Sequence, residues 1–243
     1  MIFIVKAEFL KQDRTFGKKI IWIAPIVTFL LAFVLTAGMT NAYSESVWNW
    51  WYVLLLPGML AIMSYLNISR EKKMRYYNQI TLATGKKQLM LGKIVYMIIV
   101  MFLSNILLFV GATLGGTLLS TSVPVSGAVV AVFILTITYL WTIPLFLFLG
   151  VRFGMMVCIL VSLFGAAGGT IIAPSDKWWL FVFAIPMRVL SPLLHVLPNG
   201  MRATVNDPLL DMGVVVPGVV ISLCWFVIVT FLFLNWFDKK EVK

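Results

Sequence analysis

Residues 94–119 read "IVYMIIVMFLSNILLFVGATLGGTLL", 26 positions without one Asp, Glu, Lys or Arg. A helix rises about 1.5 Å per residue, so roughly 20 apolar residues cross the hydrocarbon core of a bilayer. This run is long enough, and it is not alone. Outward from it, apolar blocks of comparable length lie at 20–39, 48–68, 127–150, 153–173 and 214–236, which makes six predicted spans. The chain of 243 residues is 61% hydrophobic and 12% charged, whereas a soluble domain is roughly half apolar and a quarter charged. The expected fold class is an all-α integral membrane protein, with a single transmembrane domain over 1–243.

The first block follows Lys6, Lys11, Arg14, Lys18 and Lys19, as the core of a signal peptide would. No small-x-small motif closes it, and five spans follow, so it reads as an uncleaved first helix. Residues 1–16 ahead of it are too short and too charged to span. Ile2 returns to the side of Phe9 and Phe3 to the side of Leu10, each pair seven apart, which describes an interfacial helix. A frayed terminus is the alternative. The two cysteines, Cys158 and Cys224, sit inside spans without metal-ligand spacing and read as packing residues.

The net charge of +10 could point to nucleic acid, but its distribution does not. Sixteen of the 19 Lys and Arg residues fall before the first span, between the second and third, between the fourth and fifth, or after the sixth. The intervening loops hold only Lys177, Arg188 and Arg202. By the positive-inside rule the sixteen face the cytoplasm, and both termini lie there. The expected location is a cell membrane, with anionic lipid as a partner and no nucleic acid.

Other features carry weaker expectations. "VWNWWY" (47–52) reads as an aromatic belt at the headgroup level, with a ligand-stacking platform as the alternative. Pro25, Pro57 and Pro144 predict kinks. Gly111 with Gly115, and Gly165 with Gly169, are four-residue repeats that let helices approach closely. The segment 174–213 holds five prolines between apolar stretches and predicts two short helices dipping partway into the membrane. Arg188 and His195, seven apart, could share one of their faces. His195 is then either a proton or peptide contact or an interfacial residue with a local hydrogen bond.

Motifs for self-powered chemistry are missing. There is no P-loop for ATP, no H-E-x-x-H and no Cys/His cluster for a metal. The span interiors hold almost no Asp or Glu, which ion-coupled carriers place there despite the cost. The expectation is a membrane subunit that is not itself an enzyme, has no cofactor or metal of its own and draws energy from elsewhere.

The stretch just before the opening run, "SREKKMRYYNQITLATGKKQLMLGK" (69–93), has seven basic residues against one acid, Glu71. It can be read as a solvated basic loop. However, Tyr76, Ile80 and Ala83 recur at i, i+4 and i+7, bordered by Met74 and Tyr77. That is a short helix with an apolar-aromatic strip, closed by Gly85 and suited to docking in another protein's groove. A new helix then begins near Lys86.

An interfacial N-terminal helix, six spans, a helix between spans two and three and partly inserted helices before the last span together resemble type-2 ABC exporter permeases. Glu71, "RYYNQITLAT" and Gly92-Lys93 occupy the places of that family's acid, coupling helix and Gly-Lys. The Gly-Thr common after the acid and the Pro at the helix end are absent. More narrowly, "KAEFLKQDRTFGKKIIWIAPIVTFLLAFVL" and "NWWYVLLLPG" are similar to the opening of lantibiotic-protection ABC permeases of the MutE/EpiE type, over about residues 6–95.

The resemblance implies a bacterial immunity exporter, in the bacterial cell membrane, that expels antimicrobial peptide from the cell's own membrane. It also implies a separate ATPase subunit that binds ATP and Mg, and a second, related permease. It supplies no substrate-binding positions. The residues expected to couple to the ATPase are Glu71, Arg75, Tyr76, Tyr77 and Ile80. Two alternatives stay open: an ABC exporter for a drug or lipid, and a non-transporting sensor or scaffold.

Overall fold

The computed structural model describes residues 1–13, 15–36, 42–73, 85–119 and 123–239. Helix α1 (Ile2–Gln12) is short, and α2 (Phe16–Leu35) follows it. Then come α3 (Tyr43–Trp50), a π-helical turn at Trp51–Leu55 and α4 (Leu56–Lys73), which together form one long rod. Next are α5 (Lys86–Leu118), α6 (Val125–Tyr139), α7 (Thr142–Arg152), α8 (Met155–Ile172), α9 (Ala184–Leu194) and α10 (Val215–Asp238). Among the described residues no strand forms, and one isolated bridge joins Val196 to Arg202.

Five of these helices, or six if α6 and α7 count as one bent span, are long and apolar enough to cross a membrane. The chain is a multi-pass membrane protein by that measure. Helices α2 and α10 leave Trp22, Phe33, Val216 and Phe231 exposed, a surface that suits lipid and would be a liability in water.

Two irregularities have one cause each and answer each other. Helices α6 and α7 meet at 41° because Pro144 has no N–H for the carbonyl of Leu140 and its ring crowds that turn. In the α3–α4 rod, Leu56 donates its N–H to the carbonyl of Trp51, five residues back. The carbonyl of Tyr52 would next look to residue 57, which is a proline. It accepts the hydroxyl of Tyr139 instead, at 2.5 Å, from the residue that ends α6.

The core corrects the expected aromatic belt. Trp48, Trp51 and Tyr52 are fully buried beside Tyr96, Tyr139 and Phe146, rather than spread along a membrane boundary. Trp51 Nε1 donates to Asn105 Oδ1 (2.9 Å), and Asn105 Nδ2 donates to Thr136 Oγ1 (3.0 Å). One amide thus joins the π turn, α5 and α6, because a buried indole N–H must find an acceptor.

The glycine repeats seat aromatic rings more than helix backbones. A Cβ on Gly115 would lie 2.6 Å from the Tyr43 ring and one on Gly165 2.5 Å from the Phe183 ring, while Gly111 abuts Phe29. Only Gly169 of the four meets a main-chain atom, Phe183 O at 2.8 Å. Cys158 is packed in the core as expected, but Cys224 is exposed on α10.

The segment 174–213 forms one α-helix, not two. Pro186 falls in the first turn of α9, where an N–H has no helical partner anyway. The helix takes in only the end of the first apolar stretch and most of the second, while Trp178–Leu180 form a 3-10 turn ahead of it. His195 ends it in the left-handed region (φ 56°), and Gly200 (φ 87°) turns the chain into a hairpin. Arg188 and His195 do not share a role. Arg188 is buried and donates to the carbonyls of Leu209 (2.6 Å) and Pro208 (3.3 Å), while His195 is exposed.

Asn105→Leu should leave the Trp51 indole N–H buried without an acceptor, at a cost of about 1–2 kcal/mol. Thermal melting of the purified protein should fall, with a shifted tryptophan emission. A variant that melts with the parent would show that the indole finds another acceptor.

Candidate functional site

Lys93 stands in the second turn of α5, at the edge of the long apolar run, and is 1% exposed. An isolated buried ammonium costs several kcal/mol, so it must be neutralised or lose its proton. Here it is neutralised. Lys93 Nζ lies 2.8 Å from Glu8 Oε2, 2.8 Å from Glu71 Oε1 and 3.1 Å from Asn67 Oδ1. Three close acceptors match the three N–H bonds of an ammonium group.

A second cation completes the balance. Lys11 Nζ lies 2.6 Å from Glu8 Oε1 and 3.4 Å from Glu71 Oε1, so two lysines and two glutamates share one site. Burial alone would lower the Lys11 ammonium, but the hydrogen bond and charge of Glu8, then those of Glu71, outweigh it and hold Lys11 above its usual 10.5. A raised cation stabilises fully below its unfolded value and loses that contribution only as pH rises through the folded value. The contribution of Lys11 is therefore fully present at neutral pH.

The local sequence explains the approach. Glu8 and Lys11 are three apart on α1 and face the same way. The apolar residues Ile2, Phe3 and Leu10 face outward, and the buried residues of α1 are Glu8 and Gln12. Helix α1 thus turns its polar side to the protein. Gly92 lets it come close, since a Cβ there would lie 2.5 Å from Ile4 Cγ2. Phe9 meets Tyr96 edge-on with centroids 4.8 Å apart, and Gln12 Nε2 reaches Asn67 Oδ1 at 3.4 Å.

Three chain segments are fastened here: α1, the end of α4 and the start of α5. The last two are the stems of the segment expected to couple to a partner. Of the residues expected there, Glu71 belongs to the cluster, with its side chain 10% exposed. Arg75, Tyr76, Tyr77 and Ile80 lie outside the described residues. Gly85 caps the start of α5, and the helix it was expected to close lies outside the described residues.

Glu8, Lys11 and Asn67 were not among the expected site residues, although a lone acid on a greasy helix and a lone lysine entering an acid-free span are a readable pair of signals. At the same end, Lys87 lies 3.5 Å from Asp238 at the close of α10, so α1 and the end of α10 lie at one end of the bundle.

No family model, no curated protein and no solved structure matches the chain.

Lys93→Met leaves Glu8 without its buried partner and should destabilise by about 3–5 kcal/mol, seen as a marked drop in melting temperature. Adding Glu8→Leu leaves Lys11 and Glu71 as a neutral pair, so the double variant should melt above Lys93→Met alone. A double variant no better than the single one would refute the charge-balance account.

Proposed function

We propose that the chain is the permease subunit of an ATP-driven exporter of the type-2 ABC kind, which expels antimicrobial peptide (lantibiotic) from the membrane and so confers immunity. The supporting observation is mechanical. Both stems of residues 74–84 are tied to α1 through one buried ion cluster. Force applied to that segment therefore moves α1, α4 and α5 together. A bare solvated loop would need no such anchorage.

In this reading the basic end of the bundle faces the cytoplasm, following the positive-inside rule. A separate subunit binds ATP and Mg and docks on the segment carrying Arg75, Tyr76, Tyr77 and Ile80. Glu71 acts from beneath it, holding the α4 stem to Lys93 and Lys11. A second, related permease completes the path. The peptide enters from the bilayer and leaves on the far side, and the apolar exposed faces of the spans suit such an amphiphile.

Aromatic anchors at interfaces contribute about 2 kcal/mol or more each, so Tyr76→Ala with Tyr77→Ala should weaken ATPase association more than tenfold. Peptide resistance and stimulated ATP hydrolysis should fall while membrane insertion and yield stay normal. Undiminished resistance in that double variant would end the assignment. Sensitivity to a drug or lipid instead of peptide, on deletion of the chain, would retain the exporter and change its cargo.

A further inference from the structure

At the end of the bundle away from the cluster lies a second charged site of opposite character. A cavity of about 380 Å³ opens between the first turn of α3, the start of α6 and the hairpin after α9. Glu45, Pro124, His195, Arg202, Val205 and Leu210 are on its wall. Glu45 is 3% exposed, and its Oε2 has no hydrogen-bond partner among the described residues. Arg202 and His195 are exposed on the same wall, and neither forms an ion pair with Glu45.

The walls are held in place. Asn49 Nδ2 donates to the carbonyls of Leu197 (3.3 Å) and Pro198 (3.1 Å), and Tyr52 Oη donates to Leu197 O at 3.3 Å. Within the hairpin, Leu197 N donates to Met201 O (2.8 Å) and Ala203 N to His195 O (2.9 Å). Gly127 of α6 abuts the carbonyl of Leu193 with no room for a Cβ, which fixes the start of α6 against the end of α9.

A buried carboxylate with no partner is costly, and an ionisable group at the mouth of a membrane bundle points to a ligand. The charge order defines its chemistry: a cation seated deep on Glu45, an anion nearer the rim on Arg202 and His195, and apolar matter outside. Val205 is 93% exposed beside the mouth, and Met201 is exposed on the same hairpin. The site lies at the ends of apolar helices, where lipid headgroups stand.

We propose that this cavity binds the headgroup of an aminophospholipid, tip first. The primary ammonium donates to Glu45, the phosphate meets Arg202 and His195, and the acyl chains leave past Val205 into the bilayer. A quaternary headgroup has no N–H to donate, and a glycerol headgroup has no cation. This inference is independent of the export reading.

The test uses the full chain in nanodiscs containing equal amounts of phosphatidylethanolamine, phosphatidylcholine and phosphatidylglycerol, with retained lipid counted by native mass spectrometry. The parent should retain the ethanolamine lipid about tenfold over the other two. Glu45→Gln should bring it down to the choline level without affecting phosphatidylglycerol. Arg202→Gln, at an exposed position that spares the fold, should reduce retention of phosphatidylethanolamine as well. Equal retention by the parent and Glu45→Gln would overturn the proposal. So would a lysine-bearing amphipathic peptide binding with the same Glu45 dependence in discs that retain no ethanolamine lipid, which would assign the site to peptide.

Discussion

The buried ammonium of Lys93 is the constraint on which this end of the molecule depends. It enters the bundle at the edge of an acid-free apolar run, and it can stay charged only where carboxylates come to it. Glu71 comes from α4 and Glu8 from α1, so two segments far apart in sequence must converge on one point. That requirement places α1 against the bundle, selects which of its faces turns inward and favours a small residue at position 92, where a Cβ would press on the Ile4 side chain. Lys11 then offsets the second acid. An ion cluster of this kind adds little net stability over an apolar core of the same shape, but it strongly specifies which parts meet.

The two ends of the bundle use charge in contrasting ways. At the Lys93 end, acids and lysines cancel within the chain. At the opposite end Arg188 is absorbed by main-chain carbonyls, while Glu45 has no such compensation among the described residues. Between the ends the polar contacts are neutral: Trp51 to Asn105, Asn105 to Thr136, Tyr139 to Tyr52. Lipid offers no hydrophobic force between helices, so packing and such hydrogen bonds must hold the middle together.

Much of this architecture can be read from the chain. Apolar runs of spanning length are what a bilayer demands of a helix, and α2, the α3–α4 rod, α5, α8 and α10 all fall on expected spans. The break in α6–α7 is announced by Pro144. What sequence reading missed depends on which face turns inward. "VWNWWY" carries the same rings whether they sit at a headgroup boundary or in a core, and only the acceptor on Asn105 decides for Trp51. The apolar side of α1 suggested how it lies, but Glu8 reveals its function only once Lys93 is beside it. Glu45 escaped notice because "YSES" resembles a polar loop, whereas in the fold it is the first turn of a buried helix.

The cluster and the irregular turns fit together mechanically. The stems of residues 74–84 are tied to α1 where they leave the bundle, through Glu8, Glu71 and Lys93. Motion in such a bundle must then be taken up elsewhere, at points where helical hydrogen bonding is already interrupted. Two such points face each other: the π turn ahead of Pro57 and the bend ahead of Pro144. They share one bond, from Tyr139 Oη to the carbonyl that Pro57 leaves without a donor. A helix that shifts at one turn must therefore carry or break its bond to the other, which couples the α3–α4 rod to the α6–α7 bend without any charged group in the membrane interior.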